Sequence, residues 1–210
     1  MTATITSCIR ALPVGDPGEP QRTESAELLE LTRQPWTMRI GATTVAVRPA
    51  SLRDLPAVAQ MLRRCSARSL LDRYRRGGRP PTAAQLDAEL RNPNCYIAFT
   101  ADGSVVAIGT VARDSGHGTA CAEVTVLVED RWQRRGIGGE LVSHLAGVAR
   151  VEGYTELIAY PATAVAAAQR LMIEVGRTRM VPDQHAAHLH TYLPEGATLG
   201  LGTVRQRLAG

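Results

Sequence analysis

Residues 123–139 read EVTVLVEDRWQRRGIGG, an apolar strand-like run followed by a charged turn, two arginines and three glycines in four positions. The spacing of Ile137, Leu141, Leu145 and Val148 predicts a helix that begins at the glycines. The first turn of a helix has backbone N–H groups without partners and carries the positive end of the helix dipole. Glycines at this point allow a phosphate group to approach the backbone. The run therefore predicts a strand–turn–helix unit with a diphosphate site at the helix N-terminus.

Two common phosphate-binding motifs do not fit this run. A P-loop requires a lysine after its last glycine, and all 24 basic residues of the chain are arginine. A dinucleotide-binding fingerprint requires a third glycine where Leu141 stands, and the glycines should follow the strand directly. Here seven residues separate Val128 from Gly136. The acidic residue about 20 positions further on, Glu156, is predicted to begin a strand rather than end one.

The order of the predicted elements is typical of a mixed α+β fold. Four helices are predicted in the N-terminal half of the chain, near residues 25–33, 51–62, 66–76 and 82–92. Two more are predicted in the C-terminal half, near residues 137–153 and 162–175. Strands are predicted near 43–48, 95–101, 105–113, 120–128, 156–160, 177–181 and 188–193. Gly176 is interpreted as the cap that ends the last helix.

The length of 210 residues and a hydrophobic content of 44% predict one domain with extensions. We expect a partly flexible N-terminal extension at 1–37 (13–24 as a flexible arm), a folded domain at 38–193 and a tail at 194–210. The four cysteines are far apart, so neither a zinc site nor a redox dithiol is predicted. No apolar stretch is long enough to span a bilayer and no signal peptide is evident, so a cytoplasmic protein with no membrane association is expected.

The segment Gln133–Gly138 matches the Q/R-x-x-G-x-G/A signature of the GNAT family of N-acetyltransferases, and a strand precedes it at that family's spacing. The run AEVTVLVEDRWQRRGIGGELV resembles the bacterial protein-lysine acetyltransferase branch in particular. So does VRPASLRDLPAVAQMLRRCSARSLLDRY, nearer the N-terminus. The resemblance covers about residues 40–193. It implies the acyl-CoA N-acyltransferase fold, a twisted and mostly antiparallel sheet that contains a splayed pair of parallel strands and is flanked by helices.

The resemblance also implies where acetyl-CoA, the co-substrate of that family, would bind. The pantetheine arm would pair with the backbone of the first splayed strand, and the diphosphate would lie on the helix N-terminus that follows. The implied binding residues are Val126, Leu127, Val128, Arg134, Arg135, Gly136, Ile137, Gly138 and Gly139. The alternative interpretation of the glycines is a turn without a ligand.

Glu123 is the predicted catalytic base. Acetyl transfer to an amine requires a group that removes a proton from the ammonium form. Alternation along the strand puts Glu123 on one face with Thr125 and Leu127, and an apolar strand should raise the pKa of its carboxylate. Glu123 also stands where the resembling branch has its catalytic glutamate, ten residues before Gln133. The alternative is an edge-strand or ion-paired glutamate.

The chain departs from the family pattern at the general acid. Met172 stands where the family often has a tyrosine, four residues before Gly176, and Arg177 replaces the usual phenylalanine. An asparagine common at the start of that helix is also missing, and Tyr160 is the nearest tyrosine in sequence. Either water or another residue assists the departing thiolate, or catalysis is weakened. The alternative function is therefore a non-catalytic acyl-CoA-binding sensor or regulatory module.

Two further clusters of residues in the sequence each allow more than one interpretation. His185, His188 and His190 suggest a metal site, with the last two on one strand face, but without a cysteine or acidic cluster nearby we expect solvated or core histidines and no metal. Seven arginines between Arg63 and Arg79 form a basic tract, either a solvated helix face or a surface for an acidic acceptor. Little aromatic content accompanies the tract, so nucleic acid is not the expected partner. We expect an amine acceptor, a protein; its identity and the oligomeric state are left open.

Overall fold

The computed structural model describes residues 19–75, 77–114, 116–182 and 187–194; the side chains of 19–24 are not described. Its eight strands are β1 Trp36–Ile40, β2 Thr43–Pro49, β3 Cys95–Thr100, β4 Val105–Arg113, β5 Cys121–Val128, β6 Glu156–Ala159, β7 Arg177–Val181 and β8 His188–Tyr192. Its six α-helices are α1 Glu19–Thr32, α2 Leu55–Arg64, α3 Ala67–Tyr74, α4 Ala83–Leu90, α5 Ile137–Val151 and α6 Val165–Ile173. Short 3₁₀ turns at Leu52–Asp54 and Asp130–Trp132 precede α2 and α5.

The strands form one sheet in the order β1-β2-β3-β4-β5-β6-β8-β7. Among the described strands, only β5 and β6 pair in parallel, and the other neighbours are antiparallel. This confirms the predicted fold class, a mostly antiparallel sheet with one parallel pair and flanking helices. The parallel pair follows from the α5 crossover, because two parallel strands cannot be joined by a tight turn.

The helices cover both faces of the sheet. On one face α5 packs against β4 and β5, and its buried residues Leu141, Leu145 and Val148 join the larger apolar cluster. On the other face α2 and α4 contribute Met61, Leu62 and further residues to a second cluster with β3 and β4. The alternation predicted for β5 decides which cluster each of its side chains enters.

Three local expectations differ from the structure. Helix α1 begins at Glu19, so the second half of the segment expected to be a flexible arm is helical. The strand β1 was not predicted, yet its Trp36, Met38 and Ile40 are buried. Gly176 does not have a left-handed φ; instead an added Cβ would lie 2.2 Å from the carbonyl oxygen of Tyr192. That residue is therefore a glycine because β8 passes close to it.

The predicted division at residues 38 and 193 stays a prediction, and residues 195–210 of the expected tail lie outside the described residues. Within the described part of the chain, no helix is both long and apolar enough to cross a membrane.

Candidate active site

The strands β5 and β6 pair over three residues and then separate. Their parallel register runs from Cys121 opposite Glu156 to Glu123 opposite Ile158. Strand β5 continues to Val128, still paired with β4 on its other side, whereas β6 ends at Ala159. The backbone of β5 beyond Glu123 therefore has an edge that β6 does not cover. Unpaired strand edges bind other extended groups readily.

The turn between β5 and α5 is held by hydrogen bonds to α3. The Gln133 side-chain amide donates to the Val128 carbonyl and to the Ser69 hydroxyl, both at 3.0 Å. The Asp130 carboxylate accepts from the Ser66 backbone N–H at 2.8 Å and its hydroxyl at 2.7 Å, and from the Ser69 hydroxyl at 3.0 Å. Gln133 of the signature therefore positions the turn.

Two glycines at the start of α5 are required by neither backbone strain nor packing. Gly136, the N-cap, has φ 93°, which favours glycine. By contrast, an added Cβ on Gly138 would meet nothing closer than Leu171 Cδ1 at 3.6 Å, and on Gly139 only the Glu174 carboxylate tip at 3.3 Å. Glycine in a helix costs about 1 kcal/mol relative to alanine. A methyl group on Gly138 would therefore fit in ordinary van der Waals contact with Leu171 and Val128, so neither a left-handed backbone nor a steric clash requires glycine at this position.

The other residues predicted to bind the cofactor lie at the end of β5, in the turn that follows it and at the start of α5. Arg134 and Arg135 are exposed, and the Arg135 guanidinium lies 5.2 Å from the centre of the Trp132 ring. Ile137 is fully buried, so it presents only backbone atoms at the helix start. On β5, Leu127 is buried in the cluster of α2 and α4, while Val126 and Val128 pack partly buried on the α5 side.

Glu123 lines a cavity of about 260 Å³ on the face of the sheet opposite α5. The cavity is also lined by Arg73, Tyr74, Pro81, Gln85, Glu89, Thr110, Ala112 and Thr125. The hydroxyls of Thr110 and Thr125 form a 2.6 Å hydrogen bond on its floor. The predicted shared face of Glu123, Thr125 and Leu127 is confirmed. The sequence did not identify the residues that α3 and α4 contribute.

Burial raises the pKa of Glu123, and the positive charge of Arg75 opposes this shift. The guanidinium of Arg75 lies 3.9 Å from the Glu123 carboxylate, in an ion pair whose side chains are 52% and 35% exposed. The same guanidinium lies 4.6 Å from the centre of the Tyr160 ring. The expected direction of the pKa shift is confirmed, and a carboxylate with a raised pKa can accept a proton near neutral pH.

The arginines between Arg63 and Arg79 do not form one solvated face. Arg73 is buried and forms an ion pair with Glu89, which also accepts a hydrogen bond from the Tyr74 hydroxyl at 3.2 Å. Arg64 donates from Nε at 3.0 Å and from Nη2 at 2.8 Å to Glu129, which is buried. The interpretation as a single basic tract is therefore wrong. Arg76 lies outside the described residues.

A polar cluster beyond the end of β6 was missed by the sequence. The Tyr160 hydroxyl donates to Asp114 at 2.6 Å and lies 3.2 Å from Nδ1 of His117. Burial alone would raise the pKa of Asp114, but hydrogen bonds from Tyr160, Gly116 and His117 lower it. The sequence feature that could have indicated this cluster is the histidine of the Gly-His-Gly segment before β5, at position 117.

Met172, at the position where the resembling family often has a tyrosine, is buried in the larger apolar cluster. It has no proton to donate.

Two of the three histidines near the C-terminal end of the domain are buried. His188 and His190 lie on one face of β8, and His185 lies outside the described residues.

The fold is that of an N-acyltransferase, because its mostly antiparallel sheet contains one parallel pair of strands that separates. The glycine-rich start of α5 and the cavity lined by Glu123 lie at the strand β5 of this pair. The sequence model of the Acetyltransferase (GNAT) family matches residues 59–176, more than half of the chain. The chain therefore belongs to the GNAT family of acetyltransferases, and as an enzyme it is an N-acetyltransferase. Among curated proteins, none matches this sequence.

Similar solved structures have the same fold at low sequence identity. The GNAT domain of S. lividans PAT is 21% identical, with a TM-score of 0.63 over 71% of this chain and 91% of that chain. A phosphinothricin acetyltransferase from Sinorhizobium meliloti in complex with AcCoA is 19% identical, with a TM-score of 0.58 over 73% and 90%. The structure of yncA from Salmonella typhimurium with acetyl-CoA is 19% identical, with a TM-score of 0.56 over 74% and 97%.

Proposed function

We propose that this protein transfers the acetyl group of acetyl-CoA to a primary amine, and that the amine is a lysine side chain of another protein. The observation that carries the proposal is the position of Glu123. Its carboxylate lines the cavity at the last residue of β5 that pairs with β6, directly before the uncovered strand edge. An amine in the cavity and a thioester along that edge would therefore meet beside Glu123.

The residues at the end of β5 and the start of α5 fit the shape and charge of acetyl-CoA. The uncovered backbone of Val126–Val128 would bind the amide groups of the pantetheine arm. The N–H groups of the first turn of α5, with Arg134 and Arg135, would bind the diphosphate. A bound diphosphate would explain why glycine is present at positions 138 and 139, where neither a left-handed backbone nor a clash with another backbone requires it.

Glu123 would accept the proton that the ammonium of the acceptor loses before the amine attacks the acetyl carbonyl. Acetyl-CoA, when bound, supplies the activated thioester. Burial raises the pKa of Glu123, and this shift prepares its carboxylate to accept a proton. Since Met172 has no proton to donate, solvent would protonate the departing thiolate.

The cavity supports a lysine side chain better than a bulky amine. Its volume of about 260 Å³ is below the roughly 300–1,000 Å³ of sites that enclose drug-sized ligands. Glu89 is paired with the buried Arg73, whereas the ion pair of Glu123 with Arg75 is long, at 3.9 Å, and partly exposed, so Glu123 is the carboxylate more available to an ammonium group. The resemblance of residues 122–142 to the protein-lysine acetyltransferase branch also favours a lysine acceptor.

Acetyl-CoA consumption, measured with one set of acceptors at equal amine concentration, tests the proposal. The acceptors are bacterial protein extracts, a lysine peptide whose N-terminus is acetylated and whose side-chain amine is free, and small amines such as phosphinothricin. We expect turnover with protein and peptide, and Glu123→Gln should lower it by roughly 10²–10⁴-fold. Turnover confined to small amines would refute the lysine acceptor. Binding of acetyl-CoA without turnover of any acceptor would support the non-catalytic alternative.

A further inference from the structure

Three histidine rings converge at the junction of the β4–β5 turn with β8. His117 lies in the turn, and His188 and His190 are alternate residues of β8. One ring nitrogen from each lies within 4.8 Å of the others. The ring centres are 5.1 Å apart for His117 and His188, and 4.9 Å apart for each of the other two pairs. Three imidazoles around one tetrahedral zinc ion, at Zn–N bonds of about 2.0–2.1 Å, have ring centres roughly 5 Å apart.

Two of the three rings are oriented by carboxylates. Nδ1 of His190 lies 3.2 Å from the Glu156 carboxylate, and Nδ1 of His117 lies 3.3 Å from the Asp114 carboxylate. When Nδ1–H donates to a carboxylate, the lone pair is on Nε2, and metal-binding histidines usually have this arrangement. His190 is only 5% exposed, so water does not reach its Nε2 atom freely. That atom nevertheless has no hydrogen-bond partner among the described residues.

The supporting groups are themselves fixed. His190 is opposite Ile158 in β6 and Arg179 in β7, so strands hold it on both sides. The Asp114 carboxylate accepts hydrogen bonds from the Gly116 N–H and from the Tyr160 hydroxyl, both at 2.6 Å. Buried polar atoms are normally paired. Three imidazoles held close together, two of them oriented by carboxylates and one with a buried, unpaired Nε2, are therefore arranged to bind a common ligand.

We propose that His117, His188 and His190 bind a first-row divalent transition-metal ion, with zinc as the best fit. Neutral imidazoles suit zinc, whereas Mg²⁺ and Ca²⁺ prefer oxygen ligands. Asp114 and Glu156 would offset the two positive charges from outside the coordination sphere. Three protein ligands leave the fourth tetrahedral position to a water molecule. The ion would join the β4–β5 turn to β8.

The test uses the full-length protein, stripped of metal with a chelator and titrated with zinc chloride against a chromophoric chelator. We expect one equivalent to bind with a micromolar or lower Kd. His190→Gln and His117→Gln should each weaken binding at least about 100-fold, since each removes one of three ligands. Glu156→Gln, which removes a carboxylate that orients a ligand, should weaken it about 10- to 100-fold. Cobalt(II) in place of zinc should give the intense visible bands of tetrahedral coordination.

His144→Gln is the matched control. His144 packs against Tyr96 in the α5 face of the sheet, and its substitution should leave zinc affinity and the cobalt spectrum unchanged. His117 lies in a turn with its side chain 31% exposed, so His117→Gln tests the site even if His190→Gln does not fold. Zinc affinity equal in His117→Gln, His144→Gln and the unsubstituted protein would overturn the proposal, as would the absence of stoichiometric binding. Neither readout depends on acetyl transfer.

Discussion

The glycine-rich turn after β5 and the cavity beside Glu123 are built in opposite ways. The turn consists of consecutive residues, Asp130–Gly139, and two of the residues at the start of α5, Gly138 and Gly139, have no side chain beside their backbone N–H groups. The cavity is assembled from α3, α4, β4 and β5, which are far apart in sequence. The turn therefore offers backbone N–H groups to a negatively charged ligand. The cavity offers the carboxylate of Glu123, since its second carboxylate, Glu89, is paired with Arg73.

This difference separates two kinds of effect. Substitutions in the turn should change the affinity for coenzyme A and leave the chemistry intact. Substitutions around the cavity should change turnover or the affinity for the acceptor and leave coenzyme A binding intact. The four predictions below test that separation.

The largest effect is expected at Glu123. Glu123→Gln keeps the shape of the side chain but removes the base, so kcat should fall by roughly 10²–10⁴-fold. The Kd for coenzyme A, measured by calorimetry, should be unchanged. A comparable loss of coenzyme A affinity would mean that the cavity and the turn act as one site, and near-normal kcat would remove Glu123 from the role of base.

Gly138→Ala should weaken coenzyme A binding by about tenfold, equivalent to about 1.4 kcal/mol, because the methyl group lies beside the backbone N–H groups proposed to bind the diphosphate. The free protein should become more stable by up to about 1 kcal/mol, since alanine is the better helix former and meets nothing closer than 3.6 Å. Thermal unfolding with and without coenzyme A measures both quantities.

Gly176→Ala is the matched control for that substitution. Its Cβ would lie 2.2 Å from the Tyr192 carbonyl oxygen, so the free energy of unfolding should fall. In the fraction that folds, coenzyme A affinity should be retained. Opposite changes in stability from two glycine-to-alanine substitutions would separate a glycine required by packing from one kept free for a ligand; equal destabilisation would contradict the interpretation of Gly138.

Arg75→Gln should shift the pH dependence of acetyl transfer. Burial raises the pKa of Glu123 and Arg75 lowers it, so removal of the positive charge should raise that pKa further. The base works only when deprotonated, so the acidic limb of kcat/KM should move to higher pH. Because this ion pair is partly exposed, the shift should be small and should shrink as salt is added. A shift to lower pH would contradict the assignment of the limb to Glu123.

The smallest effect is expected at Arg79, an exposed arginine two residues before Pro81 of the cavity wall. If acidic residues surround the target lysine, Arg79→Glu should raise the KM for the protein acceptor about two- to fivefold at low salt. The control is Arg39→Glu, an exposed position on β1 at the far edge of the sheet. Equal KM values for the two variants would remove the charge around the cavity from acceptor selection.

The sequence predicted the elements of this fold well where local physics decides them. The helix predicted near 82–92 begins with a capping box formed by Thr82 and Gln85, and the strands predicted near 95–101 and 105–113 form β3 and β4. It failed at β1, whose short run WTMRI has too few residues for its alternation to stand out. It also failed at the arginines of α3, because helical spacing does not reveal that Glu89 of α4 faces Arg73.

By itself the sequence determined the glycine turn, the face on which Glu123 lies and the direction of the shift in its pKa. These properties follow from a period of two residues and from the unpaired N–H groups of a helix start, which involve residues close in the chain. The tertiary structure decided what surrounds them. Strand β8 lies between β6 and β7, and this order brings His188 and His190 to His117, about 70 residues earlier in the chain. Strand order and register are set by the packing of the whole sheet between its two helical layers, and no local pattern of residues encodes them.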